Sequence, residues 1–123
     1  MELKAWTVTI DSGDSEALSD FYAALLGWKK VRVNEEYIIV AGSEDRSVPW
    51  LTFQEVEGYT PPVWPLERGR QQTMAHLDFH VEDIPAFVEH ALACGARLSP
   101  VQEAEEWRVM LDPAGHPFCV CPS

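Results

Sequence analysis

Along residues 6–12, Trp-Thr-Val-Thr-Ile-Asp-Ser, apolar and polar side chains alternate, with Val8 and Ile10 on one face and Thr7, Thr9 and Asp11 on the other. Period two predicts a half-buried strand. Asp14 or Ser15 then offers a helix cap, and Leu18, Phe21, Tyr22 and Leu25 recur at i, i+3, i+4 and i+7 before Gly27 stops the run. Two β-rich stretches follow at 28–33 and 36–41, and a polar turn over 42–47 leads to a fourth at 50–56. Residues 57–72 carry Gly58, Pro61, Pro62, Pro65 and Gly69 with little periodicity, which reads as a linker and pocket rim.

The second half repeats the first. Leu77, Phe79 and Val81 alternate with His76, Asp78 and His80, and Asp83 caps a helix with Ile84, Phe87, Val88, Ala91 and Leu92 at helical spacing. Gly95 ends that helix, and strands are predicted near 96–99, 107–111 and 118–121, with Asp112-Pro113-Ala114-Gly115 as a turn between the last two. Thr7 to Asp14 and His76 to Asp83 are both seven steps, and Phe53-Gln54 and Phe118-Cys119 occupy corresponding last strands. This punctuation implies two copies of one β-α-β-β-β unit: about 4–56, a linker over 57–72, and about 73–122. One copy is too small to bury its own sheet face. The expected fold is therefore a single α+β domain of two tandem βαβββ modules, a curved, cup-shaped mixed sheet with helices outside and a pocket between the copies.

Composition narrows the function. At 123 residues with 46% apolar and 24% charged positions, the chain has the make-up of a globular protein. A net charge of −11 repels phosphate backbones, which argues against nucleic acid, and attracts cationic small molecules. No apolar run is long enough for a bilayer span, and the start, Met-Glu-Leu-Lys-Ala-Trp, lacks the layout of a signal peptide, so the cytoplasm is the expected location. Cys94, Cys119 and Cys121 are odd in number, and the last two sit two apart in a strand, a poor geometry for a disulfide.

Strand periodicity puts His76, Asp78 and His80 on one face. A histidine beside a carboxylate serves as general base or ligand anchor, or equally as a structural hydrogen-bonded pair, so His76 and Asp78 are the candidate catalytic residues. A Cys119–His76 pair would be needed for thiolate chemistry, against which stands a buried, inert thiol. Trp50 and Trp107, with Trp64 in the linker, offer stacking surfaces for a flat or cationic ligand, or simply pack. Cys94 and Cys121 read as core fillers, and His90 and His116 as surface residues.

The run Ala17-Leu18-Ser19-Asp20-Phe21-Tyr22-Ala23-Ala24-Leu25-Leu26-Gly27-Trp28 resembles the first helix of the glyoxalase/bleomycin-resistance/dioxygenase superfamily, the vicinal oxygen chelate proteins. His76-Leu77-Asp78-Phe79-His80-Val81-Glu82-Asp83 resembles its fifth strand, and Asp112-Pro113-Ala114-Gly115-His116-Pro117-Phe118-Cys119 its turn into the last strand, in the manner of the glyoxalase-like group. The resemblance implies the cupped fold, a homodimer, and in metal-dependent members one divalent ion held from strands one, four, five and eight. The positions it assigns are Thr7, Gln54, His76 and Cys119, of which only His76 matches the usual donors; an ion, if held, would use His76, Gln54 and Cys119. An ion in an oxygen/nitrogen site needs charge compensation, and the two carboxylates that would supply it are missing.

The resulting expectation is a small-molecule binder without the usual metal, sequestering an aromatic or cationic compound through Thr7, Thr9, Gln54, His76, Asp78, Cys119, Trp50 and Trp107. The alternatives are a glyoxalase-like lyase or isomerase using His76 with an atypical metal or with Asp78 as acid/base, and a ligand-sensing or interaction module.

Overall fold

The structure, a computed structural model, describes residues 2–42 and 48–123; most of the polar turn expected over 42–47 lies outside the described residues. The chain divides into two compact units, the first ending at Tyr59 and the second beginning at Thr60. Each is a β-α-β-β-β unit with one helix and a four-stranded mixed sheet, so the chain is α+β and built of two tandem βαβββ modules.

The first unit runs β1 (Thr7–Ser12), α1 (Ser15–Leu26), β2 (Lys29–Arg32), β3 (Tyr37–Ala41) and β4 (Trp50–Glu55), in sheet order β1-β4-β3-β2. β1 and β4 are parallel, and the other pairs antiparallel. Asp14 starts α1, its carboxylate accepting the Ala17 N–H at 3.0 Å, which satisfies one of the unpaired amides of the first turn. Gly27 ends it at φ +69°, a left-handed conformation that glycine adopts without steric penalty. Leu18, Phe21, Tyr22 and Leu25 are buried, and Tyr22 stacks on Phe53 of β4 with ring centroids 5.6 Å apart. That contact defines the helix-side face of the sheet, where Ile38, Val40, Leu51 and Phe53 are also buried. Lys30 and Arg32 lie on the same side and pair with α1, Lys30 with Glu16 and Asp20, Arg32 with Glu16. The Lys30 and Arg32 hydrogen bonds hold the exposed Glu16 carboxyl below its ordinary range. Burial pulls Lys30 down, but its bonds to Asp20 and Glu16 carry it above the usual lysine value.

The second unit runs β5 (Leu77–Val81), α2 (Ile84–Cys94), β6 (Arg97–Leu98), β7 (Arg108–Leu111) and β8 (Pro117–Pro122), in the equivalent order β5-β8-β7-β6 with β5 and β8 parallel. Asp83 caps α2 through the Ala86 N–H at 3.0 Å, and Gly95 closes it at φ +120°. Phe79 meets Phe118 edge-on at 5.7 Å and Phe87 of α2 at 6.0 Å, which fixes the helix-side face of this sheet. β6 is shorter than predicted. Pro100 cannot donate to a ladder, and the Gln102 side-chain amide bonds both the N–H and the C=O of Val109 at 2.9 Å, taking the place of a strand neighbour. Trp28 and Trp107, expected inside strands, stand just before β2 and β7.

The predicted linker contains no helix or strand and falls mostly within the second unit. Val63 N–H bonds the Gln71 carbonyl at 3.0 Å, and Pro61 lies so near Gly115 that a Cβ there would approach it to 3.0 Å. Among the described residues no helix is long and apolar enough to cross a membrane.

Candidate functional site

Because side chains alternate along a strand, the residues opposite the helix-side face of the second sheet follow from the register. Leu77 pairs with Phe118 under α2, so Asp78 and its partner Cys119 point to the other, helix-free face. His76 precedes β5 and lies on the same side as Asp78, and His80 lies opposite Cys121 on that side. Val109, paired with Cys119, and Leu111, paired with Pro117, supply the apolar ground around them.

Asp78 is the centre of this group. His76 Nε2 stands 3.3 Å from Asp78 Oδ1, and the Cys119 thiol donates to the same carboxylate. One ligand atom from each of His76, Asp78 and Cys119 lies within 4.8 Å of the others. The side chains of His76 and Asp78 are 35% and 47% exposed, whereas Cys119 is only 6% exposed. Burial, and then the Asp78 charge and its hydrogen bond, push the Cys119 thiol up to about 12. At neutral pH it is a protonated hydrogen-bond donor, and thiolate attack from it is disfavoured. Burial followed by the Asp78 charge also raises Cys121.

Trp64 flanks the cluster, its ring centroid 5.7 Å from that of His76 at an interplanar angle of 59°. Trp64 comes from the segment read as a linker and pocket rim, whose lack of period is why spacing alone does not assign it to this site. His80 stands apart from the cluster: its Nδ1 donates to the Pro122 carbonyl at 2.8 Å. His90 and Cys94 lie together on α2, away from this face, with Cys94 Sγ 3.9 Å from the imidazole nitrogens. His116 is not a plain surface residue. Its Nδ1 donates at 2.8 Å to Asp112, a fully buried carboxylate that also accepts the Ala114 and His116 amides and so ties the turn before β8.

The first unit places different residues on the corresponding face. Thr7 pairs with Trp50, Thr9 with Thr52 and Asp11 with Gln54. Since Thr9–Thr52 is the register equivalent of Asp78–Cys119, the counterpart of Cys119 is Thr52, and Gln54 lies two positions further along. Thr7 and Gln54 are therefore four register positions apart, roughly 13 Å along the strands. The first unit also has a separate hollow of about 540 Å³, lined by Glu35, Glu36, Glu55 and Glu57 with Tyr59 and Gly13.

The ion that the resemblance implies meets a poor donor set here. Thr7 is a weak ligand, Gln54 is a neutral amide displaced from it along the sheet, and strand eight supplies sulfur where a carboxylate is usual. The residues present do not fit an oxygen-rich, four-donor site.

A family model described as a glyoxalase-like domain matches residues 7–121. Among solved structures, the chain is similar to a glyoxalase/bleomycin resistance protein/dioxygenase family enzyme from Burkholderia phytofirmans, with a TM-score of 0.67, 21% identity, and coverage of 93% of this chain and 94% of that one. It is similar to the Leishmania major trypanothione-dependent glyoxalase I, with a TM-score of 0.65, 19% identity, and coverage of 98% and 87%. A Listeria monocytogenes fosfomycin resistance protein FosX variant, solved with Mn(II) and a dihydroxypropylphosphonic acid, gives a TM-score of 0.68 at 12% identity, covering 98% and 90%. No protein with a curated description matches the sequence.

Proposed function

The chain belongs to the glyoxalase-like domain family, and from that premise we propose that it binds a small aromatic or cationic molecule on the helix-free face of its second sheet, without the family's usual four-donor ion. The observation that carries this reading is the His76–Asp78–Cys119 cluster set among Val109, Leu111 and Trp64. A few convergent polar groups on apolar ground, with an aromatic wall, are the make-up of an organic-ligand site. Asp78 would receive a cationic or hydrogen-donating group, and Trp64 would lie against a flat one. The net charge of −11 favours approach of a cation. The proposal also has the chain acting as a cytoplasmic homodimer; its free cysteines accord with a reducing compartment.

A second reading is an enzyme moving a proton between His76 and a bound substrate, with Asp78 orienting the imidazole. The 3.3 Å His76–Asp78 contact favours it.

Tryptophan fluorescence of chelator-treated protein, titrated with a panel of aromatic and cationic compounds, tests the first reading. At least one compound is expected to quench the signal saturably, and His76→Ala and Asp78→Asn to weaken it about tenfold or more. A silent panel, or variants that bind as the wild type does, would overturn it. Turnover of a quenching compound, lost in His76→Ala, would favour the second.

A further inference from the structure

The segment ahead of β5 is folded inside out. Leu66 and Met74 are 67% and 83% exposed, whereas the Trp64 Nε1 and Thr73 Oγ1 atoms are buried with no hydrogen-bond partner among the described residues. Chains ordinarily do the reverse, because a buried donor without a partner forfeits its bond to water. The segment is also held to itself. Val63 N–H bonds the Gln71 carbonyl at 3.0 Å, and Arg70 N–H bonds the Glu67 carbonyl at 3.2 Å across a tip whose Gly69 sits at φ +82°. Trp64 adjoins Val63 and Thr73 lies just past Gln71, so both flank the clasp between the two limbs. We propose that residues 61–75 form a strap that lifts to admit an organic ligand and closes on it. In the closed state the Trp64 N–H and the Thr73 hydroxyl donate to one neutral oxygen of that ligand, a carbonyl or amide. The proposal rests on the ligand reading and deepens it by naming a second group that the ligand carries.

Both donors are shut off from solvent, so the strap must move before anything reaches them. Neither the clasp nor the tip bond ties it to a sheet, and both keep its shape as it moves. An oxygen acceptor satisfies the two orphaned donors at once, and an apolar ligand leaves them as they are. Unpaired buried donors are rare in native structures and call for such a partner. A carboxylate is the poorer fit. Through His76, which touches both Trp64 and Asp78, it would be drawn close to the Asp78 charge in a chain of net charge −11. The class that follows is an aromatic amine bearing a carbonyl or amide oxygen, with the amine for Asp78 and the oxygen for the strap. The indole serves by its N–H edge here, and its face stays available to the flat group.

Thr73→Val keeps the side-chain shape and deletes the hydroxyl, so it tests the orphaned donor with no ligand present. Its midpoint in chemical denaturation is expected to equal or exceed that of the wild type, since no bond is lost. A lower midpoint would mean that the hydroxyl is already bonded in the free protein, and would overturn the proposal by itself. Calorimetric titration with phenylalaninamide and with phenethylamine, which lacks the carboxamide, tests the ligand class. The wild type is expected to bind the amide about tenfold more tightly. In Trp64→Phe and in Thr73→Val that preference should fall towards unity. Affinity for phenethylamine should stay within about threefold, because phenylalanine keeps an aromatic face. Equal wild-type affinities, or a preference that survives both variants, overturn the strap and leave the ligand reading standing. The strap also fails alone if neither amine binds while another compound quenches tryptophan fluorescence. A panel that is silent throughout removes both proposals.

Discussion

At three equivalent register positions the first unit carries Thr7, Thr9 and Thr52, and the second carries His76, Asp78 and Cys119. One layer away, on the helix-side faces, the units keep the same character: Val8, Ile10, Leu51 and Phe53 stand where Leu77, Phe79, Phe118 and Val120 stand in the second. The fold thus constrains one face of each sheet through burial against a helix, and leaves the other face free to take different chemistry. Three threonines hold a strand pair with β-branched stems and hydroxyls. A histidine, an aspartate and a cysteine at those positions make a titratable cluster on the same backbone.

The largest effect that would sharpen this comparison lies in the shared layer. Phe53→Ala and Phe118→Ala each remove a fully buried ring, and each is expected to cost about 3–5 kcal/mol of unfolding free energy in chemical denaturation. A loss under about 1 kcal/mol at either position would mean that the two faces are not equivalent. On the helix-free face, replacing His76, Asp78 and Cys119 together by threonine copies the first unit's pattern into the second. The variant is expected to fold, with stability changed by less than about 2 kcal/mol, and to lose ligand quenching. An unfolded variant would show that the cluster is structural.

A smaller effect concerns Cys119. Burial and the Asp78 charge raise its pKa, so Asp78→Asn should lower it and increase the thiolate fraction. Alkylation of Cys119 in native protein at mildly alkaline pH, followed by peptide mass spectrometry, should then speed up on the order of three- to tenfold over the wild type. An unchanged rate would mean that burial alone governs the thiol.

The smallest expected effect is in the first unit. The folded-state pKa of Glu16 is depressed by Lys30 and Arg32, so its contribution is present above the ordinary glutamate value of 4.5 and fades as pH falls through the folded value. Stability curves of the wild type and Glu16→Gln should differ only slightly at neutral pH for so exposed a pair, and converge in acid. A difference that grows on acidification would reverse the assignment.

Much of this architecture can be read from short-range pattern. The caps Asp14 and Asp83, the terminating Gly27 and Gly95, and the helix and strand periods all depend on residues within a turn or two of each other. The seven-residue spacing from Thr7 to Asp14 and from His76 to Asp83 also reveals the repeat. Trp64 could not be placed in this way, because a proline-rich segment has no period from which to infer a neighbour, and only its packing brings it to His76.

Face and register separate what the sequence determined from what only the tertiary structure decided. Alternation assigns His76, Asp78, Thr7, Thr9 and Gln54 to helix-free faces, because a strand repeats every two residues whatever it pairs with. The same alternation is unchanged when a partner strand slides by two, so it cannot tell Thr52 from Gln54 as the residue opposite Thr9. That choice is made by hydrogen bonding between β1 and β4, some forty residues apart in the chain, and in the second unit the pairing of β5 with β8 likewise puts Asp78 against Cys119.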